Sequence, residues 1–165
     1  KFGSPDKLVD LEVFPWPWKD NSVNEIIMSH VLEHLGQTTD TFLNIMKELY
    51  RVCTHKAIIH IQVPDHRSDG YFGDPTHVRP ITKAIMNLFS KKENKMTIEK
   101  GWPNTTLALF LDVDFEIIDF KISLMPHWHQ KYISKSITED ELNLAMSSHF
   151  NVVNELDFKL QVLKK

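Results

Sequence analysis

Cysteine is almost absent from this chain of 165 residues: Cys53 stands alone, so no internal disulfide can form. A reducing, cytoplasmic compartment is the expectation that follows. Charge of one sign is not in excess either, with 19 Lys and Arg against 22 Asp and Glu for a formal net charge of -3. That balance gives no electrostatic footprint for nucleic acid or an anionic membrane, and leaves acidic and neutral ligands open. No apolar run approaches the ~20 residues of a membrane-spanning helix. The opening residues KFGSPDK lack the hydrophobic region of a signal peptide. No internal repeat and no linker divides the chain, so a single domain over residues 1–165 is expected, large enough to bury roughly 70% of its unfolded surface. The first residue is Lys rather than Met, which leaves room for a portion upstream.

What is present is concentrated in Leu8 to Leu35, LVDLEVFPWPWKDNSVNEIIMSHVLEHL. Two short apolar runs each end in polar residues. Leu8-Val9 leads to Asp10, and the run centred on Ile26-Ile27-Met28 leads to Ser29 and His30. Between them, Phe14-Pro15-Trp16-Pro17-Trp18 cannot be helical, because each proline removes a donor and holds the preceding residue extended. Lys19 to Ser22 is turn chemistry. The pattern predicts strands near 7–10 and 24–29. In an open α/β sheet, ligands bind where strand carboxyl ends point, so Asp10, Ser29 and His30 become candidate site residues.

Downstream, Thr38 or Thr39 is a natural cap for a helix carrying Phe42, Ile45, Met46, Leu49 and Cys53 at helical spacing. Residues 57–63 read as a buried strand closed by Pro64. Strand, strand, helix, strand favours a parallel sheet with a right-handed crossover. A long polar loop over 65–80 follows, then a short helix over 81–89. Residues 90–106 have no clear period, and an exposed or mobile insertion is expected there. Strands are predicted near 115–124, with a bulge, and 155–163, with a helix over 137–150 opened by the capping box Thr138/Glu141.

Three groups of residues could carry chemistry. Asp10 could accept hydrogen bonds from an amine or hydroxyl beside the aromatic loop, where Trp16 could enclose a flat ring. A capped turn at Asp10 and plain packing at Trp16 are the simpler alternatives. His30-Val31-Leu32-Glu33-His34 has the H-x-x-E-H spacing that, on a helix, lets two imidazoles share a zinc with Glu33 as general base. A strand ending at His30 argues against that helix, and no single third ligand stands out; Asp65, Asp74 and His77 could serve only if their loop folds back. Asp74-Pro75-Thr76-His77 lies on the loop after the third strand and could close over the same cleft, or could be an Asx turn ahead of a helix.

Asp10-Leu11, Pro15 to Trp18, Asp20 to Ser22, Ser29 to His34, Glu48 to Val52 and Asp74 to His77 together resemble the class I S-adenosylmethionine-dependent methyltransferases. The likeness is to a compact group with D-L, P-W-P-W, D-N-S, S-H-V-L-E-H and D-P-T-H segments in that order. It implies a Rossmann-like sheet, mostly parallel with an antiparallel carboxyl-terminal edge, and S-adenosylmethionine as cofactor. It further implies that Asp10 meets the adenine amino group, that Leu11 packs near that ring, and that Ser29 and His30 line the methionine part. His30, His34 and His77 are the candidate catalytic residues, and Trp16, Asp74 and His77 the candidate acceptor-binding ones. No metal is implied. The methyl acceptor, a small molecule or unknown, lies beyond the motifs. The family's glycine-rich loop and ribose-binding acidic residue have no counterpart here, so the chain is expected to be the later part of such a domain, with about one βαβ unit of roughly 30 residues absent. A non-catalytic scaffold that keeps the fold is the alternative function, and the H-x-x-E-H zinc hydrolase a third. An exposed sheet edge left by missing strands would favour a homodimer.

Overall fold

In the computed structural model, residues 6–164 are described. The first strand is β1, Val23–Ser29. A single 3-10 turn at Leu32–His34 leads to α1, Thr39–Val52, capped by Thr38, whose hydroxyl accepts from the Thr41 N–H at 3.2 Å. The apolar positions read from the sequence are the buried ones: Phe42, Ile45, Met46 and Leu49, with Val52. Cys53 caps this helix and opens β2, Cys53–Pro64. There it is fully buried, and loss of solvent pushes its thiol up to about 11.

The loop after β2 holds α2, Asp69–Phe72, and α3, Lys83–Asn87, follows. α4, Lys91–Glu99, and α5, Leu107–Leu111, then lead to β3, Phe115–Leu124. α6, Pro126–Ile133, and α7, Glu139–Ser148, precede β4, Val153–Val162. The Thr138/Glu141 capping box is formed on α7. No helix among the described residues is long and apolar enough to cross a membrane.

The four strands lie in the order β1-β2-β4-β3. β1 and β2 pair in parallel, while β4 runs antiparallel to both β2 and β3. Three strands therefore point one way and one is inserted against them, which is the α/β class expected, with an antiparallel pair finishing the sheet. The register of β3 slips between Ile117 and Asp119, at the bulge the sequence predicts.

Alternation divides the sheet into two faces. Ile59, Ile61, Val63, Leu156, Phe158 and Leu160 are buried in one core with α1 and Phe89. Each such aliphatic side chain contributes about 1.5–3 kcal/mol on leaving water. The other face carries Ile58, His60, Gln62, Asp157, Lys159 and Gln161, all half-buried.

Two expectations are corrected. Residues 7–10 form no strand: Leu8 is 91% exposed and the segment is bend and coil. Two apolar residues bury too little to hold a strand in a sheet. Residues 90–106 are exposed over 98–105, as expected, but 91–99 form α4, where no element was expected, and its inward residues are the polar Asn94 and Thr97. Asn94 donates to the Leu88 carbonyl at 3.1 Å and accepts from the Ala108 N–H at 3.0 Å, replacing the apolar stripe a periodicity search looks for. The strands at 115–124 and 155–163 together make the antiparallel edge, as expected, with β4 inside and β3 outermost.

Candidate functional site at the carboxyl end of the parallel strands

β1 and β2 end together, with Ser29 opposite Gln62 in the register. Ser29 Oγ donates to Gln62 Oε1 at 2.9 Å, and Gln62 Nε2 donates to Glu155 Oε2 at 2.8 Å. His30 follows with φ of 51°, a left-handed turn that takes the chain off the sheet, and its N–H is held by the Gln62 carbonyl at 2.9 Å. Its ring lies between two carboxylates, with Nδ1 3.4 Å from Glu33 Oε1 and Nε2 3.3 Å from Glu155 Oε1.

The 3-10 turn covers only Leu32–His34 and excludes His30. The two histidines of the H-x-x-E-H segment therefore do not share a helical face, which removes the geometry that the zinc-hydrolase reading required. His34 instead turns to the loop after β2. That loop folds back onto the end of β1, since the Glu33 carbonyl accepts from the Val78 N–H at 2.9 Å and from the Arg79 N–H at 3.3 Å. His34 Nδ1 is then 2.9 Å from Thr76 Oγ1, and the His34 and His77 ring centroids are 4.6 Å apart. Asp74 Oδ1 accepts from both the hydroxyl and the N–H of Thr76, at 2.6 and 2.8 Å. These bonds, the hydroxyl first, lower the Asp74 pKa. His34, Asp74 and His77 are thus brought together by the Asx turn that was the simpler reading of Asp74-Pro75-Thr76-His77.

Gly36 closes the same corner. Its φ is +74°, and a Cβ there would lie 2.6 Å from Phe42 Cβ, so only glycine fits without displacement. Its N–H donates to Glu12 Oε1 at 2.7 Å, tying the segment after Asp10 to this end of β1.

Asp10 and Leu11 lie on a loop rather than on a strand beside β1, Asp10 exposed and only Leu11 facing the hollow. Asp10 Oδ1 accepts from the Glu12 N–H at 2.9 Å, the capped turn considered above. Leu11 lines an apolar hollow of about 390 Å³ with Trp16, Trp18, Ile26, Met28 and Val31. Trp16 is a core residue, 4% exposed, its indole N–H donating to the Leu11 carbonyl at 3.0 Å. Trp18 packs edge-on against it and carries the more exposed ring.

The Pro-Trp loop is clamped from α1. Glu48 accepts from the Trp16 N–H at 2.6 Å and from Arg51 at 2.6 and 2.7 Å, and Arg51 also donates to the carbonyls of Trp18 and Trp16. The guanidinium bonds hold the Glu48 pKa below its ordinary value. This pair was read only as part of a motif; its structural duty could be found only once the loop and the helix were seen together.

No family model and no curated protein matches this chain. Solved structures do resemble it. A SAM-dependent methyltransferase from Archaeoglobus fulgidus aligns with 87% of this chain and 61% of its own, at 16% identity and a TM-score of 0.46. A second from Methanosarcina mazei aligns with 96% of this chain and 67% of its own, at 14% identity and a TM-score of 0.48. The [4+2]-cyclase SpnF aligns with 96% and 57%, again at 14% identity and a TM-score of 0.48. The chain thus spans less than two thirds of the length of the first and third of these. The fold class is set by the sheet order and strand directions above, not by these likenesses.

The sequence points to Glu33 only as a general base and singles out neither Thr76 nor Tyr71. Thr76 lay within a quoted motif and could have been found there. The carbonyl of Tyr71, which holds His77, leaves no trace in a sequence.

Proposed function

We propose that this domain binds S-adenosylmethionine at the carboxyl end of β1 and transfers its methyl group to an acceptor held under the loop over 65–80. The observation that carries the reading is the apolar hollow bounded by Leu11, Ile26, Met28 and Val31 beside a polar strand end. Met28 and Val31 bracket Ser29 and His30 in the chain, so a flat apolar ring and a charged amino-acid tail can be served by adjoining groups. On this reading Asp10 and Leu11 hold the adenine, and Ser29 and His30 the methionine part. His34, Asp74 and His77 face the acceptor, with Trp16 supporting the cofactor hollow from within.

Methyl transfer is an in-line displacement in which the acceptor's lone pair attacks the methyl carbon and the sulfonium leaves as a thioether. It needs alignment and an unprotonated nucleophile more than covalent help from the protein. A histidine with a free ring nitrogen can take the proton of a hydroxyl or amine acceptor, and His34 and His77 are the groups placed for it.

The test is calorimetric titration of S-adenosylhomocysteine into the protein as its gene encodes it. Saturable binding is expected, weakened by about 1–3 kcal/mol in Asp10→Ala, the range for a hydrogen bond to a charged group. Absence of binding to the unaltered protein would overturn the reading and leave a scaffold role in its place.

A further inference from the structure

We propose that Glu33, His34 and His77 form a binding site for a divalent first-row transition cation. The three residues can each offer one ligand atom such that the atoms lie within 4.8 Å of one another. Ligands held at ~2.1 Å from an ion sit at most ~4.2 Å apart, so seating one draws the three together by about an ångström. Two imidazoles and one carboxylate suit zinc, cobalt, nickel or ferrous iron rather than magnesium or calcium.

Hydrogen bonding has already prepared both rings. His77 Nδ1 lies 2.7 Å from the Tyr71 carbonyl oxygen, which can only accept, so the proton is on Nδ1 and Nε2 keeps its lone pair. Thr76 uses its hydroxyl hydrogen on Asp74, so its oxygen can only accept from His34 Nδ1, and His34 Nε2 is likewise left basic. A carbonyl behind one imidazole and a carboxylate-backed hydroxyl behind the other is the outer-shell arrangement that orients histidine ligands on metals.

The second, independent observation is Glu33. It is fully buried, and neither carboxylate oxygen has a hydrogen-bond partner. Among the described residues no lysine or arginine comes within 4.0 Å of it. His30 Nδ1 approaches to 3.4 Å without forming a hydrogen bond, and Arg79 sends its guanidinium to the Gly36 carbonyl and over the Phe42 ring instead. A buried carboxylate without a partner is costly, and a divalent cation supplies the missing charge. Three protein ligands would leave a further coordination position open, as in catalytic rather than structural sites.

This inference does not depend on the methyl-transfer reading, since with an ion bound His34 and His77 spend on it the Nε2 lone pairs that reading gives to an acceptor's proton, and its test uses no cofactor. Co2+ is titrated into the metal-free protein and followed by its visible d–d absorption, with Zn2+ as competitor. One equivalent is expected to bind, displaced by zinc. His77→Ala and His34→Ala should weaken binding by more than about 100-fold, beyond what outer-shell losses produce, and Thr76→Val by about 10-fold. His66→Ala, at a half-buried ring of the same loop outside the Glu33, His34 and His77 cluster, should leave it unchanged, and far-UV circular dichroism of each variant checks folding. Should His77→Ala not fold, Thr76→Val and Glu33→Gln carry the test. The proposal is overturned if cobalt shows no saturable binding, or if affinity is unmoved in the folded His77, His34 or Glu33 variants.

Discussion

Glu33 and Glu48 are both buried glutamates within one domain, and they are finished in opposite ways. Glu48 is enclosed by three hydrogen bonds, one from the Trp16 N–H on Oε2 and two from Arg51, one on each oxygen. The Glu33 carboxylate has no hydrogen bond, its nearest basic neighbour being the His30 ring at 3.4 Å. The difference teaches how to separate structure from site. A carboxylate whose lone pairs are all taken by its own chain is holding a loop in place. One left bare beside two histidines with basic nitrogens is disposed toward something outside the chain.

Breaking the finished side should cost most. Arg51→Ala leaves Glu48 and the carbonyls of Trp16 and Trp18 without their donor, and should lower unfolding free energy by about 3 kcal/mol in urea titration. An unchanged midpoint would mean that the clamp is not holding the Pro-Trp loop. Gly36→Ala comes next, at about 1–3 kcal/mol, because the added Cβ meets Phe42 and the backbone is left-handed. The same titration reads it.

The smaller effects sharpen the contrast. Glu48→Gln should be costly at neutral pH, but its gap from the unaltered protein should close on acidification. The folded-state pKa of Glu48 is depressed, so its contribution is complete above the unfolded value near ~4.3 and is lost as pH falls through the lower folded one. Unfolding curves between about pH 7 and pH 3 check this, and a gap that widens in acid would contradict it. Glu33→Gln, measured without metal at neutral pH, should cost at least about 1 kcal/mol less than Glu48→Gln, because the Glu33 carboxylate gives up no hydrogen bond.

Much of the fold could be read from the residues because the relevant signals are local. The Phe42 to Leu49 stripe, the run over 57–63, the slip within 115–124 and the Thr138/Glu141 box each declare their element within a dozen residues. The strand at 7–10 could not survive, since two apolar residues do not anchor a strand, and α4 escaped notice because Asn94 and Thr97 do inward work that apolar residues usually do. The site was legible in its parts and not in its assembly. Ser29 and His30 follow from a strand's end, and Asp74 to His77 from a turn. That Glu33 is bare, while Glu48 is filled, depends on which distant backbone groups arrive beside each, and nothing within either segment encodes it.

The most direct measurement is denaturant unfolding of the unaltered protein and of Glu33→Gln, each with and without Zn2+ at about 100 times its dissociation constant for the former. The account predicts that zinc stabilises the unaltered protein by about 2.7 kcal/mol and has little effect on the variant. Equal stabilisation of both, or of neither, would contradict the claim that Glu33 is kept unpaired for a ligand.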